Sequence, residues 1–342
     1  YSFELGRLIP GINIKTPVTA IIGTDEFDQF MERNHLWNLV KEEKDFDLIQ
    51  KTFMESSLSY TLEKKLRVFL KKITKPLAVR SSSLFEDSMS QPFSGIFGTY
   101  LLPNNNPDPE IRMKHLSDAI KLVFASVYSK NARAYFEAIN YKIELEKMAV
   151  VIQEVVGNRY DDAFYPHISG SAQSFNFYPV AHMTPKDGFA VTSLGLGQYV
   201  MEGNMAYRFS PAYPAIEIIS QKDLYKNSQV WFYAVDLLKK DLNLLEGEIE
   251  GLKMLDISDA ENHGTLNHIA SVLNTDNDTI TPGIDSPGPR LISFADILKY
   301  NYIPLAATLK TVLDVVTEAC GTPVEIEFAV DLNRDEAGNA SF

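Results

Sequence analysis

The segment Leu77 to Tyr100 reads LAVRSSSLFEDSMSQPFSGIFGTY, a short apolar stretch followed by one arginine and three small hydroxyl residues. An arginine fork suits phosphate oxygens, because its planar donors meet them two at a time. Ser81, Ser82 and Ser83 add hydroxyl and backbone donors with little bulk, and Gly95 and Gly98 suit a flexible loop that closes over phosphates. The same string also fits a strand end with a solvated Arg80 and a serine-rich turn, since short Arg-Ser strings are common.

Three further segments carry chemistry. Met148 to Tyr160 reads MAVVIQEVVGNRY, with Gln153 and Glu154 inside an apolar run. Buried polar side chains need partners, and a strand passing an adenine ring would present such groups there. Strand alternation also permits one of the pair simply to face solvent. Leu194 to Gly203 reads LGLGQYVMEG, whose glycines let a backbone approach a ligand or make a turn. It is not the dinucleotide fingerprint, because the third glycine and its spacing are wrong. In Val324 to Val330, alternation puts Glu325 and Glu327 on one face and Ile326 and Phe328 on the other. Two carboxylates on one face suit Mg²⁺, a hard cation that shares oxygen ligands with substrate phosphates. An acidic solvent face on an edge strand reads the same way.

Other chemistries lack their residues. The sequence has no G-x-x-x-x-G-K-[ST] loop, no H-E-x-x-H helix and no G-x-S-x-G elbow. Six histidines, among them His263 and His268, lack metal-ligand spacing. Asp276, Asn277 and Asp278 begin like a calcium loop but lack its glycine and terminal Glu, so they read as loop solvation. The single Cys320 forms no internal disulfide, and a free cysteine is expected to be an inert, buried, small apolar residue.

The elements that must position these residues follow from periodicity. Pro17 to Ile22 reads as a strand stopped by Gly23, after which Thr24 is expected to cap a helix carrying Asp25 and Glu26 in its first turn. Phe27, Phe30, Met31 and Leu36 share its apolar face. A lysine-rich helix over 62–72 ends at Pro76, and a short strand, Leu77 to Val79, delivers Arg80. A long helical region is expected over 109–139, strands at 148–156 and from Phe189, a surface loop over 274–290, and a final helix over 295–319. Mixed strands and long helices indicate α/β or α+β.

With 342 residues, 45% of them hydrophobic, the chain has ample material for a core. Its net charge of −13 argues against a nucleic-acid or anionic-membrane partner, though not against a local basic pocket. No apolar run approaches the ~20 residues that span a bilayer and no signal peptide opens the chain, so a reducing cytoplasm is the expected location.

In this order, the motifs resemble those of the phosphoenolpyruvate synthase and pyruvate phosphate dikinase family. Its V-R-S-S strand and acidic pair are matched by Val79 to Ser82 and Glu86-Asp87. Its Q-x-x-V is matched by Gln153 to Val156, its serine-glycine turn by Ser169-Gly170-Ser171, its G-L-G-E by Gly195 to Gln198, and its D-I-E-[WF] by Glu325 to Phe328. The resemblance spans nearly the whole chain and is weakest from about 240 to 290.

The resemblance implies an α+β, two-lobed ATP-grasp fold, with residues 1–152 as the N-terminal lobe and 153–342 as the hinge and C-terminal lobe, and ATP between them. It implies that Arg80 binds phosphates and serves the transfer, with Ser81 beside it. Gln153, Glu154, Val155 and Val156 would form the adenine hinge. Ser171, Gly195, Gly197 and Gln198 would lie near phosphates and ribose, and Glu327 with Glu325 would hold Mg²⁺. ATP would give a phosphoryl or pyrophosphoryl group to a histidine on a separate domain, which passes phosphate to pyruvate on a third.

The chain departs from the family in several ways. The phosphate-binding lysine segment would precede Tyr1, the glutamine after the metal-binding Glu would follow Phe342, and the T-G-G-x-x-S-H phosphohistidine signature is absent. A fragment without the phosphohistidine and pyruvate domains is therefore expected. Gln198 replaces the Glu of G-L-G-E, with Glu202 four residues on. That loss keeps open a regulatory module that holds nucleotide without transferring phosphate; an ATP-grasp carboxylate-amine ligase is the other alternative.

Overall fold

The computed structural model describes residues 9–83, 95–180, 182–218, 220–277 and 279–342. Helices and sheets are mixed throughout. Two compact units interleave along the chain: Pro17–Val155 with Val235–Lys253, and Tyr1–Thr16 with Val156–Ala234 and Met254–Phe342.

The first unit is built on an antiparallel sheet in the order Thr19–Ile22, Ala149–Glu154, Leu77–Ser82, Thr99–Leu102. Leu77, Val79, Val150, Ile152, Tyr100 and Leu102 are buried, and the helix Pro109–Ser126 packs on the sheet. Alternation leaves Ala78, Arg80, Val151 and Gln153 on the other face. Phe27, Phe30, Phe53, Phe124 and Tyr128 form an aromatic core, with Phe27 and Phe124 edge-to-face at 5.2 Å. The segment 235–253 belongs here because it buries Leu244 in this core, while Asn105 and Asn106 donate to its carbonyls at Leu237 and Lys240.

Several expected boundaries shift. Gly23, in extended conformation, precedes the helix Thr24–Arg33, so Thr24 is its first residue rather than its cap. Leu36 opens a new helix after His35, which adopts φ 55°. The helical region over 109–139 holds two helices, Pro109–Ser126 and Lys130–Ala138; Ser129 caps the second by accepting from the Ala132 amide. The Arg80 strand runs on through Ser82, so Arg80 lies inside it.

The second unit holds an antiparallel sheet in the order Tyr207–Phe209, Phe189–Leu194, Ile168–Gln173, Glu325–Val330. Ala172, Ala190, Thr192, Leu194, Phe209, Phe328 and Val330 fill its buried face. Ser169-Gly170-Ser171 sits mid-strand and not in a turn. A Cβ on Gly170 would lie 2.9 Å from the tip of the Phe328 ring and 2.0 Å from the Val191 carbonyl, so only glycine fits there.

The expected loop over 274–290 contains a hairpin instead. Ala270–Asn274 pairs with Thr279–Pro282 and, on its other side, with Arg290–Ile292. The final helix is split into Ala295–Leu298 and Leu305–Cys320, with Pro304 just before the second. Cys320 is exposed at that helix's end, which corrects the expectation of a buried thiol.

Candidate functional site

Each unit has one sheet face without a full cover of apolar side chains, and the sequence-predicted residues fall largely on these faces. In the first unit Arg80 lies opposite Val151 and Thr99, and Gln153 lies opposite Ala78 and Thr19. Arg80 and Gln153 therefore share a face. Ser81 and Glu154 fall on the opposite face by alternation, so it is Ser82 that accompanies Arg80. Gln153 and Glu154 both have protein partners: Gln153 donates to the Thr19 hydroxyl at 3.1 Å, and Glu154 pairs with Lys75 at 2.9 Å. The Val155 amide donates to the Pro76 carbonyl, and Val156 begins the next segment of the other unit. The acidic pair Glu86-Asp87 lies outside the described residues.

In the second unit, Glu327 is the direct cross-strand partner of Ser171, and Glu325 that of Gln173. Both glutamates are exposed, while Phe328 and Val330 are buried, so the acidic face of this edge strand is the open one. Gln173 donates to a Glu325 oxygen at 2.9 Å. Two carboxylates with a hydroxyl beside them make a hard-oxygen set that suits Mg²⁺ with water and phosphate completing its shell. Among the described residues no cluster of three or more His, Cys, Asp or Glu could hold a metal.

The glycine segment is tied to this face. The Ser169 hydroxyl donates to the Gly195 carbonyl at 2.7 Å, and Gly195 adopts φ +83°. A Cβ there would come within 2.6 Å of the Phe232 ring and 2.8 Å of the Tyr233 carbonyl, so glycine is required. Gly197 leads into the single helical turn Gln198–Met201, where Gln198 donates to Glu202 at 3.0 Å. The Tyr233 hydroxyl lies 3.1 Å from both Glu202 oxygens, and Asn204 donates to one of them at 3.3 Å. Burial first, then the hydrogen bond to Glu202, raise the Tyr233 hydroxyl above the usual phenol range and keep it a donor. Glu202 is thus a carboxylate held in place beside Gln198.

One residue escaped the sequence reading. Arg208 lies opposite Val191, which lies opposite Ser171, which lies opposite Glu327. The four share one face and one row across the sheet. Nothing in the string YRF marks this arginine, because only the strand pairing reveals its row.

Residues 2–339 match the family described as pyruvate phosphate dikinase, AMP/ATP-binding domain. The chain belongs to this family. Among curated relatives, it is similar to the phosphoenolpyruvate synthase of Aeropyrum pernix, 29% identical over 163 residues that cover 47% of this chain and 17% of that protein. It is also similar to an uncharacterized phosphotransferase, YvkC, of Bacillus subtilis, 29% identical over 195 residues that cover 56% of this chain and 21% of that protein. The matches thus span about a fifth of these relatives' own lengths. As a member of the pyruvate phosphate dikinase AMP/ATP-binding family, the chain carries an AMP/ATP-binding domain. Among the described residues no helix is long and apolar enough to cross a membrane.

Proposed function

We propose that this chain is the ATP-grasp module of a phosphotransferase, moving a phosphoryl or pyrophosphoryl group from MgATP to a histidine on another domain. The observation that carries this reading is the juxtaposition of Glu327, Glu325 and Ser171 on one open sheet face, in a chain that belongs to the AMP/ATP-binding family. Glu327 with Glu325 would hold Mg²⁺, which offsets charge on the transferred group. Arg80 would bind phosphate through its fork, with Gln153 on the same face, and Ser81, Glu154, Val155 and Val156 would contribute mainly through backbone. Ser171, Gly195 and Gly197 let phosphate or ribose approach closely. Phosphate would pass onward to pyruvate only through domains beyond this module, and a reducing cytoplasm is its proposed location.

A second reading, a regulatory module that holds nucleotide without transfer, is favoured by Gln198. The Glu202 carboxylate, hydrogen-bonded to Gln198, argues for retained function, because a pinned carboxylate can accept from ribose hydroxyls as acidic residues do elsewhere. Calorimetric titration of the chain with ATP, with and without Mg²⁺, tests the nucleotide site. Metal-dependent binding is expected, and no binding under either condition would overturn the proposal. Formation of a labile phosphohistidine in the full-length protein distinguishes transfer from mere binding.

A further inference from the structure

Arg208 carries an inference beyond these residues. It is half-buried on the strand Tyr207–Phe209, and its guanidinium carbon stands 4.1 Å from the centroid of the Phe189 ring. Its Nη2 donates to Oδ1 of Asn176 at 3.0 Å, and Asn176 is itself 2% exposed. The stack and the hydrogen bond fix the plane of the fork. No carboxylate pairs with Arg208 among the described residues, although the chain has 45 acidic side chains against 32 basic ones. By contrast Arg290 is held by Glu261, and Arg112 and Arg133 donate to backbone carbonyls on several sides. Arg208 makes one hydrogen bond among the described residues, to the Asn176 side-chain oxygen, so a guanidinium with five N–H groups keeps most of them for another acceptor.

The row supplies the rest of the geometry. Strand spacing puts Arg208 about 10 Å from Ser171 along the row, with only the Val191 side chain between, and Glu327 about 5 Å beyond Ser171. A fixed cation, a small apolar floor and a hydroxyl thus precede the acidic edge. That order fits an oxyanion lying over Val191, received by the fork on one side and the hydroxyl on the other.

We propose that Arg208 and Ser171 form an oxyanion subsite on this face that receives a phosphate group. The proposal rests on the nucleotide-binding reading for its first source, a phosphate of bound ATP; free orthophosphate is the other source with the same chemistry. Gln173 and Glu325, one step along the strands, are bonded to each other and leave this role to Arg208.

The test is calorimetric titration of the wild type, Arg208→Gln and Arg208→Lys with MgATP, adenosine and inorganic phosphate, with far-UV circular dichroism to show that each variant is folded. Arg208→Gln is expected to weaken MgATP on the order of tenfold or more and leave adenosine unchanged. Arg208→Lys, which keeps the charge but not the fork, is expected to fall between, and it carries the test if the Gln variant is unfolded. A loss confined to inorganic phosphate would assign the subsite to the free ion. MgATP and phosphate affinities unchanged in the folded variants would overturn the subsite. Wild type that binds phosphate in an Arg208-dependent way but no MgATP would overturn the nucleotide reading and keep the subsite.

Discussion

At the scale of single residues, strand alternation decides which groups can act together. Glu325 and Glu327 were legible as a same-face pair because two residues complete one strand period. The same rule separates Arg80 from Ser81, and Gln153 from Glu154, which chain proximity alone had grouped. Arg80→Ala is expected to weaken MgATP on the order of a hundredfold, since it removes a charged fork from phosphate, while Cys320→Ala leaves binding unchanged. Titration of both variants checks this; equal affinity in wild type and Arg80→Ala would remove Arg80 from the site. Glu327→Gln is expected to abolish the difference between titrations with and without Mg²⁺, and a surviving difference would place the metal elsewhere.

At the scale of elements, the glycine segment shows how a local motif acquires meaning from its neighbours. Gly195 reads in sequence as a turn or a close approach to ligand, and Phe232 and the Tyr233 carbonyl leave no room for a Cβ at its positive φ. Gly195→Ala is expected to destabilise the chain by roughly 1–3 kcal/mol, seen as a lowered melting temperature. An unchanged melting temperature would mean that the turn relaxes freely. The one-turn helix after it brings Gln198 against Glu202, and Tyr233 from a distant strand holds that carboxylate. If Glu202 accepts from ribose, wild type should prefer ATP over 2′-deoxy-ATP, and Glu202→Gln should lose that preference while still binding ATP. Retained preference in Glu202→Gln would exclude Glu202 from the ribose contact. The helix breaks at Ser129 and Pro304 were readable in principle, from a capping serine and a proline, but the apolar periodicity runs through both and masks them.

At the scale of the whole molecule, long-range pairs tie chain ends into their unit. Ile12–Asn13 pairs in parallel with Ala340–Ser341, and His167, buried at 5%, sits 3.2 Å from Asp331. Burial pushes the Asp331 carboxyl up, but hydrogen bonds from His167, Asn158 and the Asn333 amide outweigh it and hold the group below 3.8. A depressed carboxylate stabilises the fold fully above its unfolded value and loses that contribution as pH falls through the folded one. Stability should therefore decline as pH drops below about 4, and Asp331→Asn should flatten that acid limb in denaturant titrations. An identical acid limb in the variant would remove Asp331 from the balance.

The sequence by itself determined the family, the α+β character, the strands around Ile22, Val79, Ile152, Val191 and Glu327, and the acidic face at Glu325 and Glu327. These follow from periodicity and ordered motifs, which are local. Only the tertiary structure decided that 235–253 returns to the first unit, that Arg208 stands in the row of Ser171 and Glu327, and that Glu202 is fixed beside Gln198. Those facts depend on pairings between residues far apart in the chain, and such pairings are set by cross-strand register and packing, which no local spacing encodes.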